Sequence, residues 1–300
     1  MVYKKANEAL RLIQLYMKCN LLHINIKKCC YIHFRPSNRV NDEASSCHIL
    51  TLNNIVIKQV KEAKFLGVII DEKLNWESHI RSLNSKLQCE VGKLCRIRNI
   101  IPKSHYKDLY HTLFESHLRF GISVWGGVNF NKLEPLFVTQ KKCVRILFGD
   151  REAYMNKFMT CARTRPLKNQ ILGSDFHVKE HTKPLFKENS LLTVHNLYTY
   201  TCLLEMFKII KLECPSSLFL LYHKSSIRPE RFITPKPSTS FIYKSSAIWN
   251  TCRNTPSDLN FKASTNMVKN RLKHQLLNMQ SKYDANSWSD GNFDSKEFSF

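Results

Sequence analysis

Paired carboxylates are the groups in this sequence that could hold the divalent ions of phosphoryl transfer. Two adjacent acidic pairs occur, Asp42-Glu43 and Asp71-Glu72, and no two aspartates are adjacent anywhere in the chain. Neighbouring side chains of an extended segment point to opposite sides, so neither pair is suited to grip one ion. We interpret both pairs as solvated or helix-capping residues, and for Asp71 we predict in particular that it begins the turn before residues 74–76. The sequence therefore assigns no catalytic residue and no metal ligand.

Cysteine and histidine offer a second kind of chemistry, because together they bind zinc. The chain has 11 cysteines but no Cys-x-x-Cys pair, and it shows no export signal. Reduced thiols are therefore expected rather than a disulfide framework. The one constellation to weigh is Cys89, Cys95, His105 and His111, whose spacing matches no common zinc pattern. Packed thiols and solvated imidazoles are the favoured interpretation there, and a metal site is the weaker alternative.

Basic residues dominate the charge of the chain. The 46 lysines and arginines exceed the 24 acidic residues, which gives a formal net charge of +22. A field of this size favours a polyanionic partner, with nucleic acid first and an acidic membrane surface second. The plainer alternative is that the chain is a soluble basic protein whose charge has no role in binding. No apolar run reaches the roughly 18–20 residues that span a bilayer, so no membrane-spanning segment is expected, and nucleic acid rather than a membrane is the predicted partner.

The hydrophobic pattern predicts an α+β chain. Apolar residues at helical spacing predict helices over residues 4–19, 76–99, 104–119, 133–148, 193–212 and 261–279. Residues 21–34 are predicted to be extended, and Asn53-Asn54 to form a two-residue hairpin turn. Phe65–Ile70 is predicted to be a buried strand. Residues 150–190 show little periodicity, and residues 228–240 hold three prolines, as an extended linker would.

Four blocks of the sequence occur in an order that resembles one protein family. They are Asn20–Phe34, Lys64–Ile80, Leu113–Gly126 with Gln140–Gly149, and Ala247–Lys273. Together they resemble the reverse transcriptases of non-LTR retrotransposons of the jockey and RTE kind. The match includes the Phe-Leu-Gly of Phe65–Gly67, and Trp76 and His79. The chain departs from the family at Cys29, Cys252 and Met267-Val268, where Thr, Pro and Phe are usual.

The resemblance implies a fold and a domain order. It implies a partial reverse-transcriptase palm sheet, followed by a mainly helical thumb-like and C-terminal region. Residues 1–75 would be the partial palm with a hairpin like the primer grip, and residues 76–149 the thumb-like region. Residues 150–190 would form a basic irregular joint, residues 191–280 a C-terminal helical region, and residues 281–300 a polar tail.

The resemblance also implies a function. The chain would be a fragment of an RNA-directed DNA polymerase that begins after the catalytic aspartates, so it would be inactive alone. Mg²⁺ is then expected for the full-length enzyme and no cofactor for this fragment. RNA and RNA–DNA primer–template are the implied partners, in the nucleus or the cytoplasm. Two alternatives stay open: a non-catalytic module that binds RNA or DNA, and an interaction protein without a nucleic-acid role.

Three groups of residues are candidates for nucleic-acid contact. The hairpin group is Lys61, Lys64, Phe65, Leu66 and Gly67. The first thumb-like helix carries Arg81, Lys86, Lys93, Arg96 and Arg98, and a third, smaller group is Lys141, Lys142 and Arg145. The alternative reading of the charged residues on the helices is an ordinary solvent-exposed face, which also carries charged side chains. Gly67 has two readings, either close approach of a phosphate to the main chain or a glycine at a strand bulge.

Overall fold

The computed structural model of the chain describes residues 2–34, 49–149, 182–211, 234, 241–252 and 264–282. The chain divides into two compact units, Met1–His79 and Ile80–Phe300. The described residues are mainly helical and include three two-stranded sheets. This agrees with the predicted α+β class. Asp42 and Glu43, and the linker of residues 228–240 apart from residue 234, lie outside the described residues.

The first unit combines one long helix with short strands. Its elements are α1 (Val2–Cys19), β1 (Cys30–Tyr31), β2 (Thr51–Leu52), β3 (Ile55–Val56), β4 (Lys58–Gln59), β5 (Glu62–Phe65) and β6 (Val68–Asp71). β1 pairs with β4 in parallel, whereas β2–β3 and β5–β6 are antiparallel hairpins. A small core of Leu50, Leu52 and Ile57 packs against the apolar side of α1. Residues 21–34 are less extended than predicted, because a 3₁₀ turn occupies Ile26–Lys28.

The hairpin predicted at Asn53-Asn54 is confirmed. Thr51 pairs with Val56 and Leu52 with Ile55, so the two asparagines are the whole connection between β2 and β3. Their φ angles are 50° and 61°. Asparagine tolerates this left-handed region better than most residues do, and a two-residue hairpin requires it at both positions.

The predicted buried strand over Phe65–Ile70 is wrong. Phe65 pairs with Val68, so Leu66 and Gly67 form a two-residue turn inside the run, with φ angles of 45° and 89°. The side chain of Phe65 is 64% exposed. A run of six apolar residues is too short for its periodicity to show whether it contains a turn. Here it does contain one, and Gly67 supplies a positive φ that the turn needs. The hairpin contains no bulge at this glycine.

The junction between β6 and the next helix is organised by Asp71. Its Oδ1 accepts hydrogen bonds from the backbone N–H of Lys73 and of Asn75, each at 3.0 Å, and its Oδ2 accepts one from Trp76 at 2.8 Å. Leu74 and Trp76 both have positive φ, at 54° and 62°. The predicted turn-forming role of Asp71 is therefore confirmed, and its carboxylate holds a backbone path that non-glycine residues disfavour.

The second unit is built from helices. After α2 (Glu77–Ile97), a continuous helical stretch comprises α3 (Tyr106–Leu109), a π-helical turn (Tyr110–Glu115) and α4 (Ser116–Arg119). We call this stretch the Tyr106–Arg119 helix. It is followed by α5 (Ile122–Trp125), α6 (Phe130–Phe148), α7 (Thr182–Glu188), α8 (Val194–Ile210), α9 (Phe241–Cys252) and α10 (Thr265–Lys282). Packed around α8 are α4, α5, α6, α9 and α10.

Three helical segments differ from the sequence-based expectation. α7 lies inside residues 150–190, which were predicted to be irregular, and it buries Leu185 and Phe186. Its seven residues are too few to show a periodic pattern. α9 was not predicted. α10 continues to Lys282, past the predicted end at residue 279, and Gln280 is 5% exposed. The side-chain amide of Gln280 hydrogen-bonds to buried backbone groups. The pattern of polar and apolar residues in the sequence does not show such bonds.

Gly126 allows α5 to pack closely on α8. A Cβ atom at this position would lie 2.6 Å from the carbonyl oxygen of Ile122 and 2.8 Å from a ring carbon of Tyr198. We expect Gly126→Ala to lower the free energy of unfolding by roughly 2 kcal/mol, since overpacking forces its neighbours to move. Urea titration followed by circular dichroism measures the change.

Gly92 is the matched control for this substitution. It lies within α2, and a Cβ atom there would meet nothing within 4 Å. Gly92→Ala should therefore raise stability by about 0.5–1 kcal/mol, the helix-propensity difference between the two residues. Equal effects of the two substitutions would contradict the role given to Gly126.

Candidate nucleic-acid interface

The β5–β6 hairpin presents an exposed apolar tip. Phe65 is 64% exposed and Leu66 is 78% exposed, and Lys61, Lys64 and Gly67 are exposed as well. An exposed aromatic ring offers a stacking surface to a base, and the neighbouring main chain of Gly67 is open to a phosphate. The structure therefore brings all five predicted hairpin residues to one exposed feature.

The two hairpin lysines lie on opposite faces. Lys64 pairs across the hairpin with Ile69, whereas Lys61 is three residues earlier and shares the face of Ala63 and Phe65. Side chains alternate along a strand, so a single phosphate cannot meet both ammonium groups. Only Lys61 is on the same face as the exposed ring of Phe65.

Four predicted cations of α2 share one exposed side of that helix. Arg81, Lys86, Lys93 and Arg96 are exposed. At 3.6 residues per turn they fall within an arc of roughly 140°. The opposite side carries the buried residues Ile80, Leu83, Leu87, Val91 and Leu94. The structure thus separates a basic outer side of the helix from an apolar inner side. We call Arg81, Lys86, Lys93 and Arg96 the α2 basic arc.

Arg98 does not belong to this arc, although the sequence pattern grouped it there. It is 6% exposed, and its Nη2 donates a hydrogen bond of 3.2 Å to the carbonyl oxygen of Gly149. Its own carbonyl oxygen accepts a bond of 2.6 Å from the hydroxyl of Tyr106. Arg98 therefore joins the end of α2 to the end of α6, and its buried guanidinium is not part of the exposed arc.

Two members of the α2 basic arc already have intrahelical partners. The ammonium of Lys93 lies 2.8 Å from a carboxylate oxygen of Glu90, whose side chain is 9% exposed. The Nε of Arg96 donates to the carbonyl oxygen of Gly92 at 3.3 Å, which leaves its terminal nitrogens uncommitted by this bond. Lys93 contributes least to the net charge of the arc, because Glu90 neutralises it.

The third predicted group, on α6, is not a single patch. Lys142 is exposed. Lys141 is 23% exposed, with its Nζ 3.6 Å from Glu134 and 4.2 Å from the centre of the Phe137 ring. Arg145 is partly buried. Of these three residues only Lys142 is exposed, and Lys141 is paired with Glu134.

His117 belongs beside the α2 basic arc, and the sequence did not indicate it. Partial burial lowers the pKa of His117, and the positive charge of Lys86 lowers it further, with a smaller effect of Lys93. Glu90 acts in the opposite direction. Position 117 belongs to a different helix from the lysines, and no local pattern links residues this far apart. Burial and the two neighbouring ammonium groups thus disfavour the protonated form of the imidazole.

Neither a metal site nor a membrane-spanning helix is present among the described residues. Among the described residues, no group of three or more His, Cys, Asp or Glu side chains is arranged to hold a metal ion, so Cys89, Cys95, His105 and His111 do not converge on one. None of the helices in the described ranges has both the length and the apolarity needed to cross a bilayer.

Comparison with known proteins finds similarity to polymerases of mobile elements. The chain is 29% identical over 129 residues to the RNA-directed DNA polymerase from mobile element jockey of Drosophila funebris, which is 42% of this chain and 13% of that protein. Its counterpart in Drosophila melanogaster is 25% identical over 131 residues, 43% of this chain and 14% of that protein. The probable RNA-directed DNA polymerase from transposon X-element of Drosophila melanogaster is 23% identical over 101 residues, 33% of this chain and 11% of that protein.

The extent of this similarity is limited. The matched segments cover little more than a tenth of each relative's length. No family model matches the chain, and no solved structure matches it. The names of the three relatives nevertheless agree with the resemblance that the four sequence blocks carry. The chain is related to the reverse transcriptases of non-LTR retrotransposons.

Proposed function

We propose that the chain is a fragment of a retrotransposon RNA-directed DNA polymerase and that it holds RNA–DNA primer–template by the phosphate backbone. The observation that carries this proposal is the α2 basic arc. Phosphate contacts fix the position of a duplex without reading its sequence. Binding through the arc would therefore tolerate any sequence and weaken steeply with salt.

The composition of α2 supports a role beyond solvation. Its two carboxylates are Glu77 in the first turn and Glu90, which is buried and paired with Lys93. Glu77 is one helical turn before Arg81 and Glu90 is one turn after Lys86, so within α2 only Arg96 lacks a carboxylate at that spacing. The four cations of the arc still exceed the two carboxylates of the helix by two charges. An excess of one sign of charge favours a polyanion.

The hairpin supplies a second element of the proposal. The first unit, with its three two-stranded sheets, would be the remaining part of the palm. The exposed tip of β5–β6 would then contact the primer strand, with Phe65 stacking on a base and Gly67 admitting a phosphate. The chain would contribute binding rather than metal-dependent chemistry, because it has no adjacent aspartates.

Removal of the arc's charge tests the proposal. We expect the triple variant Arg81→Gln, Lys86→Gln and Arg96→Gln to weaken binding to a labelled RNA–DNA duplex by roughly 100-fold near 0.1 M salt. The slope of log affinity against log salt should fall by about one for each lost phosphate contact. Fluorescence anisotropy between about 50 and 200 mM salt measures both quantities. Lys93 is left intact because its loss would leave buried Glu90 without its partner.

A control of equal charge makes the result specific. Lys4, Lys5 and Lys187 are exposed lysines outside the arc and the hairpin. The triple variant Lys4→Gln, Lys5→Gln and Lys187→Gln removes the same charge and should change affinity by only a few fold. Equal losses in the two variants would mean that net charge, rather than this surface, drives binding. No binding by the folded unmodified chain would refute the proposed function outright.

A further inference from the structure

The Tyr106–Arg119 helix holds a buried carboxylate in a line with a lysine, a histidine and an arginine. Lys107, His111, Glu115 and Arg119 recur every four residues, so they form one stripe along the helix. Glu115 is 6% exposed. Its two oxygens lie 3.1 Å from Nε of Arg119 and 2.8 Å from Nδ1 of His111. The rare π-helical turn of Tyr110–Glu115 occurs in the middle of this stripe, and such turns are frequent at functional sites.

A third helix brings one more cation to the stripe. Both α4 and α10 pack against α8. The guanidinium carbon of Arg119 lies 5.4 Å from the centre of the ring of Tyr200, a buried residue of α8. Lys273 on α10 lies within electrostatic range of Glu115, Lys107 and Arg119. Burial lowers the pKa of Lys273, Glu115 opposes that effect, and the positive charges of Lys107 and Arg119 add to it.

The charges of this cluster do not balance. Lys107, Arg119 and Lys273 are three cations, and among the described residues Glu115 is the carboxylate that contacts Arg119 and whose charge acts on Lys273. The side chain of Arg119 is 48% exposed, its Nε contacts Glu115, and it also makes a side-chain hydrogen bond with Tyr200. The guanidinium is therefore held in a fixed orientation, and its remaining N–H groups can donate to a phosphate oxygen.

We infer that Lys107, Arg119 and Lys273 form a second site for the phosphodiester backbone of nucleic acid, on the surface between the Tyr106–Arg119 helix and α10. This inference rests on the proposed function and deepens it. The site is separate from the α2 basic arc, because His117 faces Lys86 and Lys93, and residue 117 is about 200° around the helix from residues 115 and 119. One helix would thus separate two contacts with the backbone.

Neutral substitutions at the two lysines test the site without disturbing the buried pair. We expect Lys107→Gln with Lys273→Gln to weaken binding to the labelled RNA–DNA duplex by roughly tenfold or more near 0.1 M salt. The salt slope should fall by about two, one for each contact. Lys5→Gln with Lys187→Gln removes the same charge elsewhere and should leave the slope nearly unchanged. Circular dichroism and thermal melting confirm that both variants are folded.

Lysine acetylation followed by mass spectrometry provides a second measurement that needs no variant. In the unmodified chain, bound duplex should protect Lys107 several-fold relative to the free protein and leave Lys187 fully reactive. Unchanged reactivity of Lys107, or a double variant that binds like its control, overturns the second site. If those results occur while the α2 triple variant still loses affinity, the proposed function survives and only this inference fails. If the unmodified chain binds no duplex, both fail.

Discussion

Replacement of Gln140 by leucine should lower the free energy of unfolding by roughly 3–5 kcal/mol, although the side chain keeps nearly the same volume. Gln140 is 0% exposed. Its Nε2 donates to the hydroxyl of Tyr110 at 2.8 Å and to the carbonyl oxygen of Leu192 at 2.9 Å. Its Oε1 accepts from the backbone N–H of Val194 at 2.9 Å. Leucine would leave all three of these buried groups without their partner, and each such loss costs about 1–3 kcal/mol.

The expected loss of unfolding free energy is large because two glutamines, Gln140 and Gln280, together bind the backbone of residues 191–194. Gln280 accepts from the backbone N–H of Thr193 at 3.2 Å and donates to the carbonyl oxygen of Leu191 at 3.2 Å. The start of α8 is thus held from α6 and from α10 at once. Loss of one glutamine frees one side of the segment while the other side remains fixed.

Two further variants test whether lost hydrogen bonds, rather than changed packing, account for the effect of Gln140→Leu. Thr139→Val removes a single bond, from the Thr139 hydroxyl to Asn84 at 2.7 Å, and should cost about 1 kcal/mol. Gln140→Glu places a carboxylate at the same site, where burial should raise its pKa. The protonated acid can still donate to Leu192, so the variant should regain stability as the pH falls. Urea titration at several pH values measures these effects. A loss in Gln140→Leu no larger than that in Thr139→Val would contradict the network.

Replacement of Asp71 by alanine is expected to cost roughly 3–5 kcal/mol of unfolding free energy. The substitution removes three hydrogen bonds from backbone N–H groups to a carboxylate, and bonds to charged groups are worth about 1.5–3 kcal/mol each. It also removes the groups that hold Leu74 and Trp76 at positive φ. Asp71→Asn should cost less, because its carbonyl oxygen can still accept from Lys73 and Asn75 while the bond from Trp76 is lost.

A rescue variant shows whether backbone strain is part of this cost. Leu74 is 48% exposed and has a φ of 54°. Glycine adopts this conformation freely, so Leu74→Gly should recover about 1 kcal/mol in the Asp71→Ala background. The same change in the unmodified chain should be nearly neutral. Chemical denaturation of the four proteins gives the coupling energy. Full additivity would mean that Asp71 does not act on the turn through these positive φ angles.

Much of the fold could be predicted because a helix that packs on a core shows a periodic pattern of apolar residues in its own sequence. The apolar stripes of α1, α2, α6 and α8 placed those helices to within a few residues, since core-facing positions recur at 3.6-residue spacing. Asn53-Asn54 and Asp71 were predictable for a similar reason, because turn chemistry involves residues that are adjacent in sequence. α7 was missed because its seven residues are too few for a pattern. The turn within Phe65–Ile70 was hidden by apolar residues at an exposed tip.

The candidate interface was only partly predictable. The amino-acid sequence by itself determined the large positive charge, the order of the helices and the resemblance to retrotransposon polymerases, because composition and local motifs carry these properties. Only the tertiary structure decided which cations are available. Arg98 is buried and donates a hydrogen bond to Gly149, and Lys141 is paired with Glu134. Lys273 on α10, by contrast, lies within electrostatic range of Lys107 and Arg119 on the Tyr106–Arg119 helix. A periodic pattern shows which side of a helix faces the core. It does not show which distant helix packs there, and that packing determines whether a charge meets a partner or solvent.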